Sequence, residues 1–244
     1  MATSQKLSIF GALCVCIVFS FSAFGVAQNT QGAPAPHAAH VDASPSAGEV
    51  WNSLMAGNRR FVAGKPMARD LISRRHKLVS GQSPKAIILA CSDSRVSPEL
   101  IFDQNLGDLF VVRTAGNIAD RVALGSIEYA VEHLHSSLLV VLGHQKCGAV
   151  NAACSGEPMP SPNLDAIVEK ISPAVDQAKT YSRPDDLLEA AIKENVHQSA
   201  NDLLANSEII RKAVKSGKLT VIEAEYELDA GQIVRLNAPS TAQN

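Results

Sequence analysis

The sequence predicts a single α/β domain with a mostly parallel central sheet flanked by helices, an N-terminal helical arm and a C-terminal β edge pair. Three short, uninterrupted apolar runs carry that expectation: AIILA (86–90), LFVVRT (109–114) and SLLVVLGH (137–144). Runs without polar alternation suit strands covered on both faces, as in a parallel sheet under crossover helices. Between the last two runs, ALGSIEYAVEHLH places Leu124, Ile127, Ala130, Val131 and Leu134 on one side of a helix. Strand, helix and strand thus repeat in the order that parallel pairing requires.

The elements follow in chain order. Lys6 precedes a charge-free run from Leu7 to Ala27, and Gly25 and Ala27 offer small side chains at the −3 and −1 positions of a cut before Gln28. A basic start, an apolar run and a small-residue exit predict a signal peptide over residues 1–27, hence export to a periplasm or the exterior. The alternative is a retained anchor, since about 20 apolar residues span a bilayer. Residues 28–47, rich in Ala, Pro and Ser, read as a flexible linker, with His37 and His40 as solvated linker histidines. Ser46 is a fair N-cap for a helix carrying Val50, Trp51, Leu54, Met55 and Phe61, ended near Gly64. A second helix is expected over Leu71 to Ser80. Beyond Asn151 the pattern is helical: LDAIVEKISPAVDQAK interrupted at Pro173, then DDLLEAAIKENVHQSANDLLAN, then a short helix capped by Ser207. KLTVIEAEYEL and QIVRL close the chain as a β pair. Residues 48–244 form one domain.

Composition narrows the function. Hydrophobic residues make up 46% and charged residues 19% of the chain, a globular rather than a disordered balance. The formal net charge of −2 excludes nucleic acid as a partner, because phosphate binding demands a basic face. Loss of the leader removes Lys6, Cys14 and Cys16 and leaves Cys91, Cys147 and Cys154. Three cysteines do not close a disulfide framework.

Two segments at predicted strand ends carry chemistry: Cys91-Ser92-Asp93-Ser94-Arg95-Val96 and Gly143-His144-Gln145-Lys146-Cys147-Gly148. Ligands bind at the carboxyl ends of strands in open α/β sheets. Two thiolates and an imidazole, from Cys91, Cys147 and His144, make a good Zn2+ set, and three protein ligands leave a fourth position open, as in catalytic zinc sites. Asp93 and Arg95 sit two apart, where an arginine can clamp a carboxylate and aim it. Zinc lowers the pKa of bound water to roughly 7. The residues therefore point to a zinc hydrolase or hydratase with a small pocket, and leave its substrate open.

CSDSRV followed by GHQKCGA resembles the β-class carbonic anhydrases, and FVVRTAGN (110–117) and GSIEYAV (125–131) are similar to further segments of that family. The resemblance spans about residues 48 to 236. It implies zinc ligands Cys91, His144 and Cys147, with Asp93 and Arg95 as a catalytic dyad; in a closed, inactive form of the family the aspartate itself ligates the metal. It implies reversible hydration of carbon dioxide to bicarbonate, and a homodimer or homotetramer in which the arm around Trp51 packs on a second subunit. Gln82, Phe110 and Tyr129 match the plant-like pocket and would line the substrate cavity across a dimer interface. Relatives with a second, inhibitory bicarbonate site carry a Trp where this chain has Ile88, so no such site is expected. The chain departs from the family at Thr114, Gly116 and Glu223-Ala224-Glu225. Cys154 is expected to be a spare thiol, and His133, His135 and His197 surface or capping residues. The competing functions are hydrolysis of carbon disulfide or carbonyl sulfide on the same scaffold, and non-catalytic zinc binding.

Overall fold

The computed structural model describes residues 45–236; the expected leader, nearly all of the linker, and His37 and His40 lie outside the described residues. The helices are α1 (Ala47–Val62), α2 (Leu71–Lys77), α3 (Pro98–Ile101), α4 (Arg121–Glu132), α5 (Gly148–Ser155), α6 (Pro162–Lys179), α7 (Leu187–Asn206) and α8 (Glu208–Lys215). The strands are β1 (Ala86–Cys91), β2 (Leu109–Thr114), β3 (Leu138–His144), β4 (Thr220–Tyr226) and β5 (Ile233–Arg235).

The strands form one sheet in the order β2-β1-β3-β4-β5. The first four are parallel, and β5 is antiparallel to β4, giving the expected edge pair. Every residue of the central strands β1 and β3 is buried. Because side chains alternate across a strand, Ile88, Val140 and Leu142 pack with Val50 and Leu54 of α1 and with Phe102. Ile87, Leu89, Leu139 and Val141 pack on the other face against α4, α7 and α8. The chain leaves β1 for β2 on one side and returns to β3 on the other, so strand order reverses between β1 and β3. A crevice opens above the carboxyl ends at such a point.

α1 begins with a capping box. The Ser46 hydroxyl accepts from the Glu49 N–H, and the Glu49 carboxylate accepts from the Ser46 N–H. The family resemblance places this arm against a second subunit; within its own chain α1 covers the sheet, burying Val50 and Leu54. Asn58 fastens it there: its Nδ2 donates to the carbonyls of Ile101 (3.2 Å) and Gly231 (2.9 Å), and its Oδ1 accepts from the Ile233 N–H (3.0 Å). Asp103, fully buried, then gathers the chain beyond α1, accepting from Arg60 Nε at 2.6 Å, from the Met67 N–H and from Arg69. The element that projects is α2, which buries none of its residues and exposes Leu71 and Ile72. It stops at Lys77, earlier than the sequence suggests.

α6 corrects a second expectation, since it runs unbroken through Pro173. Proline removes the N–H that would serve the Glu169 carbonyl. Glu169 is exposed, so water can serve it instead, while Ile171, Ala174, Val175 and Ala178 stay buried on the inner side. Packing outweighs the one lost bond.

Candidate metal centre

β1 delivers Cys91 as its last residue and β3 delivers His144 as its last. Beyond Cys91 the chain is pinned from β2: Arg113 donates to the carbonyl of Cys91 at 2.9 Å and to that of Asp93 at 2.6 Å, and the Ser92 N–H donates to the Thr114 carbonyl. Beyond His144, Lys146 adopts φ 53°, and this left-handed turn lets Cys147 follow closely as the residue before α5. Gly143 allows β3 to approach α7, because a Cβ there would stand 2.4 Å from Val196 Cγ2.

Cys91, His144 and Cys147 converge, all buried, with their ligand atoms within 4.8 Å of one another. The two sulfurs are 4.0 Å apart. Tetrahedral thiolates at a zinc–sulfur distance of 2.3 Å would be separated by roughly 3.8 Å, so the spacing fits. His144 Nδ1 lies 2.9 Å from the Gln145 carbonyl, which requires the proton on Nδ1 and leaves Nε2 as a lone pair. That Nε2 is buried and has no hydrogen-bond partner among the described residues. A buried nitrogen without a partner demands an explanation, and a metal ion supplies one.

The thiols respond to each other first. The hydrogen bond from Cys147 pulls the Cys91 thiol far down against burial, which pushes it up; the N–H groups of Gly116 and Asp93 add to the lowering. The same bond and burial push Cys147 up. Two thiols this close do not readily ionise together, and a divalent ion between them would relieve that. Beside them, Arg95 clamps Asp93 with Nε at 2.9 Å and Nη2 at 2.7 Å, and its own N–H adds a third bond at 2.9 Å. The Arg95 side chain is the main reason the Asp93 carboxyl falls well below the usual range. Asp93 Oδ2 is 3.9 Å from His144 Nε2, so an ionised carboxylate stands at the margin of the cluster, held back by the guanidinium.

The five residues of the two motifs therefore come together; the other three expected site residues do not join them. Phe110 pairs in register with Ile87, whereas Thr114 pairs with Cys91. Four residues of strand put Phe110 about 13 Å from the ligand end. Tyr129, 44% exposed on α4, has its ring centroid 6.3 Å from that of Phe110, and Gln82 is exposed ahead of β1. An open groove of about 340 Å³ runs along this flank between Phe110 and Ser126. Cys154 is a half-buried free thiol outside the cluster. Sequence reasoning missed Arg113, although a charge inside an apolar strand is a signal that a partner is required. It also missed the 3-10 turn Ala115–Asn117, whose Gly116 N–H donates to Cys91 Sγ.

Comparison with known proteins agrees with this geometry. A family model described as carbonic anhydrase matches residues 86–233. Carbonic anhydrase 2 of Mycobacterium tuberculosis is 43% identical over 191 residues, covering 76% of this chain and 90% of that protein. Among solved structures, the β-carbonic anhydrase CcaA superposes with a TM-score of 0.62 at 26% identity, covering 80% of this chain and 95% of its own. One of two tetrameric β-carbonic anhydrases from Sordaria macrospora gives 0.62 at 25% identity, covering 78% and 98%. With more than half its length matched by the family and its thiol–imidazole cluster at the reversal point of the sheet, the chain belongs to the β-class carbonic anhydrases.

Proposed function

We infer that this chain catalyses the reversible hydration of carbon dioxide to bicarbonate and a proton, on a zinc ion held by Cys91, His144 and Cys147. The observation that carries the reading is the convergence of two thiols and a partnerless imidazole nitrogen beside an arginine-clamped carboxylate. Zinc, when bound, lowers the pKa of water to roughly 7 and so supplies a nucleophile at neutral pH. The residues do the rest. Buried Cys91 and Cys147 offer soft anionic ligands, and His144 is held in the right tautomer by the Gln145 carbonyl. Asp93, kept ionised by Arg95, accepts a hydrogen bond from the attacking group and orients it toward the carbon. The same clamp would hold Asp93 back from a bound metal ion.

Gln82, Phe110 and Tyr129 are proposed to line the substrate cavity of a partner subunit in a homodimer, with dimers pairing further into tetramers. Their distance from this chain's own cluster supports that reading, as do the outermost position of β2 and the exposed Leu71, Ile72, Val79 and Val122. The basic and apolar opening of the sequence supports export to a periplasm or beyond. The test is zinc content measured together with stopped-flow carbon dioxide hydration on the purified chain. One zinc per subunit and hydration lost together with zinc in Cys91→Ser are expected. Retention of both in that variant refutes the ligand set, and a zinc-loaded chain without hydration refutes the activity.

A further inference from the structure

We propose that Asn195 is a positioning residue for the metal centre, acting on Cys91 through the backbone of Gly116; the proposal rests on Cys91 being a metal ligand. Cys91 Sγ accepts a hydrogen bond from the Gly116 N–H at 3.3 Å. Gly116 is the middle residue of the turn that follows β2, with φ 71°. A side chain there is strained, and its Cβ would stand 2.7 Å from Ile171 Cδ1 and 3.3 Å from the Ala149 Cβ. Glycine is the residue with the greatest backbone freedom, so the Gly116 N–H, which lies in the peptide from Ala115, stays aimed only if the following peptide, which carries the Gly116 carbonyl, is held. Asn195 does so from the middle of α7: its Nδ2 donates to the Gly116 carbonyl at 2.7 Å.

The other end of that amide argues for the role. Asn195 is 1% exposed, and its Oδ1 has no partner among the described residues. Turning the amide over would set that oxygen against the Gly116 carbonyl, so the orientation is determined. A buried oxygen without a partner costs stability. Its neighbours Ala191, Ile192 and Val196 are buried apolar residues, and leucine has nearly the shape of asparagine. As an apolar filler asparagine is the inferior choice; what it adds is the bond to the buried Gly116 carbonyl. An N–H aimed at a metal-binding sulfur draws charge from it, and groups behind a ligand commonly govern about 10- to 100-fold of metal affinity.

The test compares the wild-type chain, Asn195→Leu and Cys91→Ser, each metal-free and loaded with cobalt(II) or zinc(II). For Asn195→Leu the metal-free chain should fold and melt somewhat below wild type, because the buried Gly116 carbonyl loses its donor, while zinc affinity in chelator competition falls about 10- to 100-fold. Its thiolate-to-cobalt charge-transfer band should move to longer wavelength, because the sulfur has lost its donor. Unchanged affinity and an unmoved band in the folded variant overturn the proposal and leave Asn195 a packing residue. If Asn195→Leu does not fold, the same two measurements on Asn195→Ala decide: weaker zinc binding with a shifted band supports the clamp, and no change in either overturns it. A wild-type chain without the charge-transfer band, or Cys91→Ser with the band undiminished, overturns the ligand reading instead.

Discussion

Stripping the metal should lower the melting temperature by an amount that the geometry allows to be worked out. Cys91 and Cys147 are 56 residues apart in sequence, and only the pairing of β1 with β3 brings them together. The unfolded chain therefore offers no comparable site, and an ion that binds only the native state stabilises it by RT ln(1 + [L]/Kd). With free zinc at 100 times Kd this is about 2.7 kcal/mol. For a chain of this size each kcal/mol moves the melting point by about 2–4 °C. Calorimetry on loaded and chelator-treated chain should therefore differ by about 5–11 °C, and the gap should widen with added zinc. Cys91→Ser should lose most of that dependence. Equal melting points with and without chelator, or a zinc dependence that survives intact in Cys91→Ser, would refute the reasoning.

Asp93→Asn should keep its zinc and lose about 10²-fold in turnover, because the carboxylate aims the nucleophile rather than holding the ion; metal analysis and stopped-flow hydration check the two halves separately. Asn58→Ala should cost about 2–3 kcal/mol in urea unfolding, since it strands the buried Ile233 N–H and the Ile101 carbonyl. Burial pushes the Asp103 carboxyl up, but the bonds from Arg60 and Met67 and the charge of Arg69 win and hold it below the usual range. Its stabilisation is therefore complete above the unfolded value of about 3.9 and is lost as pH falls through the lowered native value. Pepsin should cut the 63–70 segment of Asp103→Asn at about pH 4.5, where the native chain resists; equal resistance of both would remove Asp103 as the anchor.

What the sequence discloses is whatever repeats locally or carries unusual chemistry. The unbroken runs of β1 and β3 announce a covered parallel sheet, and the cysteine and histidine at their ends announce a site. Ser46 marks the start of α1 because an N-cap is a local signal, and the Glu49 that completes its capping box stands three residues on. Contacts made at long range leave no such mark. Asn195 reaches Gly116 across 79 residues, and Asn58 reaches Ile233 across 175. Nothing beside either asparagine distinguishes it from a surface residue. α3, with four residues, is too short to show a period. Pro173 misleads for the opposite reason: the local signal is real, but tertiary packing overrides it. Gly116 becomes intelligible only once φ 71° and the nearness of Ile171 are known.

The placement of Phe110 at the far end of β2 from Cys91 has a consequence for genetics as much as for enzymology. If each cavity is walled by the neighbouring subunit, a chain lacking Cys91 and a chain lacking Phe110 are each dead alone but complementary. In a two-fold pair one of the two clefts then combines an intact metal end with an intact wall. Mixing the two inactive proteins in equal amounts and letting subunits exchange should recover about a quarter of wild-type activity. Each chain would thus be half the donor and half the recipient of a working cleft, and damage to one copy would spread to its neighbour.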